Sequence, residues 1–239
     1  RAGLAGYGVS LTSDFPMGAG LGGSSAASAA ILGAIRTLRG ETLDRVWIAE
    51  EGRRIEVEEL GVAGGRQDHY AATHGGALAL TFDTEVSVRR LHLPQSVAAD
   101  FVRRSVLIYT GESRISGETI DAVLGAYQKG DKRVISALGR MKTLARLMVD
   151  ALERGDLDDV GAMVGEHWEH QRSLHPTIPT PRIDEIVRAA RLAGASGSKA
   201  MGASGGGCVL VIAKTDAVPA VRAAVEKLGT VLDFTLDDH

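Results

Sequence analysis

The chain of 239 residues has a single cysteine, Cys208, which excludes an internal disulfide and any zinc site built from several cysteines and fits a reducing cytoplasm. No apolar run reaches the ~20 residues that a bilayer span takes, and no signal-peptide pattern is visible, so neither a membrane partner nor a secretory route is expected. Charge of one sign is not in excess either: 27 Lys and Arg stand against 30 Asp and Glu, a formal net charge of −3. Without a basic field, nucleic acid is not an expected partner. Internal repeats and low-complexity tracts are also missing. What the chain does have is ordinary hydrophobic content (44%), enough length for a sizeable core, and 30 glycines. The glycines gather at 18–23, 61–76 and 194–207, which suggests three backbone segments converging on one ligand, although turns alone account for some of them.

The first cluster lies in residues 16–30, PMGAGLGGSSAASAA. Gly18, Gly20, Gly22 and Gly23 precede Ser24 and Ser25, and an alanine-rich helical pattern follows. Glycine admits φ > 0 and lets the backbone approach a ligand, because no Cβ intervenes. The first turn of the helix presents free N–H groups and the positive end of its dipole to the loop. A phosphate suits such a place, with the serine hydroxyls at hand for a phosphate oxygen or a metal ion. No lysine follows the glycines as in GxxxxGK[ST], and no βαβ unit surrounds them, so neither the P-loop nor the dinucleotide fingerprint applies. A glycine-rich turn capping an ordinary helix is the plainer alternative; the paired serines set phosphate binding ahead of it.

Residues 3–13 alternate loosely and predict a strand leading into the loop. Helices are expected over 24–38 and 42–60, the second ended by Gly61, then a glycine-bounded loop with a short helix, and a hairpin of 77–82 with 86–93. Residues 94–100 read as a linker and 102–110, VRRSVLIYT, as a strand that opens a second domain. Helices follow at 116–128, 131–154, 156–173 and 182–193, with Pro176, Pro179 and Pro181 a rigid crossing before the last. Residues 194–207 read as loop, 208–213 as a buried strand, 215–228 as a helix and 230–236 as a closing strand. This order favours α+β over a doubly wound sheet.

Phosphoryl transfer needs held phosphates, a divalent ion across the β and γ groups, and a group that orients the attacking hydroxyl. Magnesium takes oxygen ligands. Ser24 is one candidate and Glu56, in RRIEVEELGVAGGRQDHY, the best carboxylate; the alternative is that Glu51, Glu56, Glu58 and Glu59 form a solvated helix face. Asp68 by itself reads as a helix N-cap; a carboxylate with a pKa near 4 that faces a hydroxyl acts by orientation and electrostatics more than by proton abstraction. His167 and His170, with Glu166 and Glu169, read as a polar helix face, since no HExxH is present. Trp168 packs in the core or lines a pocket, and Cys208 reads as a small core residue.

Residues 16–26 resemble the central motif of the GHMP kinases, P-x-G-x-G-L-[GS]-S-S-A, through Pro16, Gly18, Gly20, Leu21, Gly22, Gly23, Ser24 and Ala26. The resemblance implies ATP held on Pro16, Gly18, Gly20, Leu21, Gly22, Gly23, Ser24 and Ser25. It also implies an α+β, two-domain fold, with a ribosomal protein S5 domain 2-like N-terminal domain over 1–98 and a ferredoxin-like C-terminal domain over 99–239. Members carry a further segment ahead of this motif, with an opening strand P-x-R-x-x-x-x-G-x-x-T-D that nothing here matches, so the chain reads as truncated at its start. In galactokinases and heptose kinases a helix glutamate precedes a glycine-rich turn and then an aspartate, the spacing of Glu56 and Asp68. By that match Ser24 and Glu56 hold Mg2+, and Asp68 is the catalytic carboxylate at the acceptor. KAMGASGGGCVLVIA resembles the closing motif G-x-K-x-x-G-A-G-x-G-G through Lys199, Gly202, Ala203, Gly205, Gly206 and Gly207, with Ser204 where glycine is frequent.

Three longer stretches narrow the resemblance. GGRQDHYAATHGG, LIYTGESRISGETI and HWEHQRSLHPTIPTPRIDEI resemble segments of D-glycero-D-manno-heptose 7-phosphate kinases and their fucokinase relatives. This implies transfer from ATP to the anomeric hydroxyl of a sugar phosphate, giving heptose 1,7-bisphosphate. The substrate contacts implied are Asp68, Gly65, Tyr70, Arg114, Arg172, Gly205 and Gly206, with Arg114 and Arg172 the first candidates for the sugar's phosphate and Arg66 behind them. The implied partners are that small-molecule sugar phosphate and, as an open option, a second copy of the chain in a homodimer. His69 stands where glutamine is usual in QDQY, and His175 and Thr177 also depart from the pattern. These leave open another sugar kinase, fucokinase-like or acting on a heptose or octose of secondary metabolism, or a non-catalytic ligand-binding relative.

Overall fold

The computed structural model describes residues 6–112 and 117–237. Arg114, expected at the substrate, lies outside the described residues. Near the N-terminus α1 (Gly23–Leu38), α2 (Arg45–Arg54) and α3 (Gln67–His74) pack on one another. Asp44 caps α2 by accepting the Trp47 N–H. Gly52 of α2 permits the close approach of the three helices: a Cβ there would stand 2.8 Å from Ser28 Oγ and 3.1 Å from the His69 ring. The helix expected over 42–60 does not run on as one α-helix. After Arg54 it widens into a π turn over Ile55–Glu59, closed by the Leu60 N–H on the Ile55 carbonyl. Such turns concentrate at functional sites. The predicted hairpin is present as β1 (Ala77–Phe82) and β2 (Val86–Leu91), paired antiparallel.

Two expectations fail before the second sheet. Residues 6–13 form no strand; their loose alternation meets no ladder partner among the described residues, and backbone groups without a partner strand stay in water. The expected linker is helical, α4 (Gln95–Arg104). Its Phe101 packs against Val160, Val164 and Ile212. Its last residue, Arg104, is buried, donates Nε–H to the Ala213 carbonyl at 2.8 Å and pairs with Asp158. The strand expected from 102 therefore begins at Ser105.

The second sheet is antiparallel in the order β4-β5-β3-β6, with β3 Ser105–Tyr109, β4 Ala195–Ala200, β5 Cys208–Ala213 and β6 Thr230–Leu232. Between β3 and β4 run α5 (Gly117–Gln128), α6 (Lys132–Arg154), α7 (Leu157–Ser173) and α8 (Pro181–Leu192); α9 (Val218–Val225) joins β5 to β6. This is the β-α-β-β-α-β order of a ferredoxin-like unit. Val106, Ile108, Val209 and Val211 turn to one face, against Ile183, Ile186, Val221 and Val225. On the opposite face Leu107 and Cys208 pack with Ala19, Phe15 and Leu21 of the glycine loop.

β4 falls in a stretch whose sequence reads as loop. ASGSKA carries no branched or aromatic residue and has little strand preference of its own. Its small residues serve α7 instead: Gly161 and Gly165 of that helix lie directly on Gly197. Tertiary packing makes this strand.

Candidate active site

The first and third glycine clusters interlock through backbone. Cys208 donates its N–H to the Ala19 carbonyl at 2.8 Å. A Cβ on Gly20 would stand 2.9 Å from the Met201 carbonyl oxygen, and one on Gly207 2.7 Å from that of Ala19. Gly20 and Gly207 are also left-handed, at φ 73° and 79°, so both reasons for glycine hold at once. The loop's other end meets the second cluster, since a Cβ on Gly22 would lie 3.2 Å from Asp68 Cβ. All three glycine segments thus meet at residues 19–22.

From there α1 starts at Gly23 with Gly22 left-handed at its N-cap and no side chain capping the free N–H groups. Ser24 is exposed and Ser25 is 2% exposed, so only the first offers its hydroxyl outward. Ser24 Oγ–H donates to Glu56 Oε1 at 2.7 Å. The π turn places Glu56 there, and its Oε2 lies 3.4 Å from Nε2 of the buried His69. Asp68 stands in the first turn of α3. It remains solvent-accessible yet has protein on most sides, and that desolvation lifts its pKa above the usual aspartate value, with His69 and Lys199 opposing and Glu56 adding to the rise.

Lys199 is the residue whose position sequence reading missed. In the sequence it stands only as a motif match, yet it pairs in register with Leu210, so its side chain shares the sheet face covered by the glycine loop and α7. Enclosure brings its pKa down to about 8, with Asp68 acting against that fall. Beside it, burial and the Lys199 charge bring His167 of α7 down to about 4 from 6.5, and its Nδ1 is buried without a hydrogen bond. The unfolded chain therefore takes up a proton on His167 between pH 6.5 and 4 that the folded chain refuses. Stability from this source is complete above 6.5 and is lost as pH falls toward 4, by up to about 3 kcal/mol. Denaturant titrations of wild type and His167→Gln at pH 7 and pH 4.5 check it: the variant should lose less on acidification, and equal losses would contradict the assignment.

The structure places the other expected contact residues as follows. Tyr70 is 1% exposed, stacks on His74 and donates its hydroxyl to Glu50 at 2.7 Å; it packs the helical layer and faces no open site. Arg172 is held by Asp184 at 2.8 Å, with its guanidinium 5.8 Å from the Trp168 ring centroid. Trp168 is itself core. Gly205 gives its N–H to the Ile178 carbonyl, and a Cβ on Gly206 would stand 2.9 Å from the Glu112 oxygen, so both serve the loop's own folding. The Leu21 side chain packs on the sheet, which leaves only its backbone for a nucleotide. Gly65 and Arg66 line an open hollow beside the Asp68 helix. Cys208 is buried and its thiol is pushed up to about 11, an inert core position.

The family model described as GHMP kinases N terminal domain matches residues 1–76, and that of GHMP kinases C terminal matches 148–230. The D-glycero-alpha-D-manno-heptose 7-phosphate kinase of Campylobacter jejuni is 30% identical over 93% of this chain and 66% of its own length. The mevalonate kinase of Thermococcus onnurineus is 31% identical over 97% of this chain and 67% of its own. A solved D-glycero-D-manno-heptose 1-phosphate kinase from Bacteriodes thetaiotaomicron superposes with a TM-score of 0.71 at 26% identity, over 93% of this chain and 62% of that one. The chain spans no more than about two thirds of the length of these relatives. Both family models and a shared fold at these identities place it: the chain belongs to the GHMP kinases.

Proposed function

We propose that this chain carries the nucleotide and acceptor machinery of an ATP- and Mg2+-dependent sugar kinase that phosphorylates the anomeric hydroxyl of D-glycero-D-manno-heptose 7-phosphate, giving the 1,7-bisphosphate. The observation that carries the reading is the meeting of Ser24, Glu56 and Asp68 around one glycine loop. The choice of sugar rests on the heptose kinase relative and on the three segments it resembles.

The residues fit the groups they would hold. The uncapped N–H groups of α1, behind a left-handed Gly22, suit an anionic phosphate tail. The Ser24 hydroxyl and Glu56 carboxylate are hard oxygen donors of the kind magnesium takes, one of each, leaving further positions to phosphate and water. Among the described residues no three His, Cys, Asp or Glu side chains gather at ligating distance, so an ion would rest on this pair together with phosphate oxygens. Bound there, magnesium would supply charge neutralisation for the transferring phosphate.

The chain's own groups do the rest. Asp68 accepts a hydrogen bond from the acceptor hydroxyl and aims its lone pair at the γ-phosphorus. His69 and Lys199 hold the Asp68 pKa down against the pull of burial. His69, buried behind Glu56, steadies that carboxylate.

The test is kinase activity of the full-length protein on heptose 7-phosphate, unphosphorylated hexoses, an octose phosphate and mevalonate. The highest kcat/KM is expected for heptose 7-phosphate. Transfer confined to unphosphorylated hexoses or to mevalonate overturns the substrate, and transfer to none overturns the catalytic reading.

A further inference from the structure

A sugar that already bears a phosphate needs cations some way from the reacting hydroxyl, and the two arginines first expected to supply them do not stand ready. Arg172 is occupied by Asp184, and Arg114 is outside the described residues. The hollow beside α3 offers a different pair. It has room of about 420 Å³ and is lined by Arg53, Gly64, Gly65, Arg66, Gln67, Phe82 and Asp83.

Arg53 and Arg54 are adjacent in sequence and opposite in use. Arg54 spends its guanidinium on Glu51 at 2.8 Å and Glu59 at 2.9 Å. Among the described residues Arg53 makes no hydrogen bond or ion pair, and its Nε is buried. A buried, unanswered guanidinium N–H is a cost unless something arrives to accept it. Arg66 is little better matched, its nearest carboxylate being Glu50 at 3.9 Å, and the Tyr70 hydroxyl already bonds that group. Asp83 is the one acid of the lining, and it accepts the Thr84 N–H. Two arginines against one aspartate leave the hollow cationic.

Its position joins it to the reaction centre. A Cβ on Gly64 would lie 3.4 Å from Glu56 Oε2, and Gln67 directly precedes Asp68. Gly65 keeps this wall tight, since a Cβ there would stand 2.4 Å from Gln67 Oε1. The 64–67 segment therefore borders both the hollow and the two carboxylates. A ligand following it has one end at Asp68 and the other at the arginines.

We propose that this hollow binds the phosphate monoester already carried by the acceptor sugar, with Arg53 and Arg66 as its cationic partners. The assignment rests on the sugar-phosphate reading above and adds the place where preference for a phosphorylated acceptor is set. Paired guanidinium forks suit a phosphate dianion, and each charged hydrogen bond is worth enough to be read in KM.

Two arms test it on the full-length protein. In the first, Arg53→Met and Arg66→Met should each raise KM for heptose 7-phosphate about 10- to 100-fold, with KM for ATP and kcat/KM for the unphosphorylated heptose unchanged. Asp83→Asn, which only removes the opposing charge, should lower KM for the phosphorylated sugar and covers the case in which an arginine variant folds poorly. In the second, inorganic phosphate is titrated calorimetrically into protein saturated with a non-hydrolysable ATP analogue. Binding is expected in wild type, weakened in both arginine variants and strengthened in Asp83→Asn. Phosphate affinity and KM indifferent to all three changes overturn the site. If no heptose phosphate is a substrate but phosphate binding still follows the arginines, the substrate reading falls and the anion site stands.

Discussion

Replacing Asp68 with asparagine should lower kcat by about 10²- to 10⁴-fold, the range a positioned carboxylate contributes, while KM for ATP stays within a factor of about two. The split follows from the geometry. The loop at 18–23 is held by the Met201–Cys208 segment and by α1, neither of which depends on the Asp68 charge. Asparagine keeps the shape that touches Gly22 and loses the anion that orients the hydroxyl. The same pair of charges sets the pH profile. Asp68 must be ionised, and burial lifts its pKa, so the acid limb of kcat/KM lies above the ~3.9 of an ordinary aspartate. Lys199 loses its proton near pH 8; Asp68 stays ionised there, so the alkaline limb follows from the loss of the Lys199 cation beside the reacting anions and not from any change in Asp68. Lys199→Arg, which stays charged throughout, should erase the alkaline limb and leave the acid one. Turnover within tenfold of wild type in Asp68→Asn removes that residue from the chemistry; an alkaline limb unmoved in Lys199→Arg removes Lys199.

What could be read in the sequence was whatever local spacing determines. The glycines before Ser24, the interval from Glu56 to Asp68 and the 77–91 hairpin are statements about neighbours along the chain, and the structure shows those elements in place. What failed depends on distant partners. β4 is a strand because α7 needs a smooth surface and β5 an edge. Residues 6–13, with better alternation, have no ladder among the described residues. The π turn at 55–59 adds one residue to a helical repeat, which no periodicity count detects, and it is what turns Glu56 toward Ser24. Lys199 stood in plain view inside a recognised motif, but only the register with Leu210 tells which face it takes. Arginine roles were the least legible. Which guanidinium is free depends on carboxylates such as Asp184, Glu51 and Glu59 that the fold brings near some and not others.

Gly197→Ala should destabilise the fold by about 3 kcal/mol or more, lowering the melting temperature by roughly 10 °C. A Cβ at this position would stand 1.8 Å from the Gly161 carbonyl oxygen and 2.8 Å from the Gly165 nitrogen. Both are helix backbone, so no rotamer change clears the space and α7 must lift off β4. That helix carries His167 and Gln171, and the Gln171 amide donates to the Gly202 carbonyl at 2.9 Å. Displacing it pulls on the segment that meets Gly20, so a folded fraction should also bind ATP more weakly. Gly139→Ala is the matched control: the site lies on an exposed face of α6 with nothing within 4 Å of the added carbon. There alanine should stabilise by about 0.5–1 kcal/mol through helix propensity and the lost freedom of the unfolded chain. Opposite signs for one chemical change would show that the cost at Gly197 comes from the contact itself. A Gly197→Ala melt within about 2 °C of wild type would mean that α7 and β4 do not lie this close, and the placement of Lys199 between α7 and the glycine loop would lose its support.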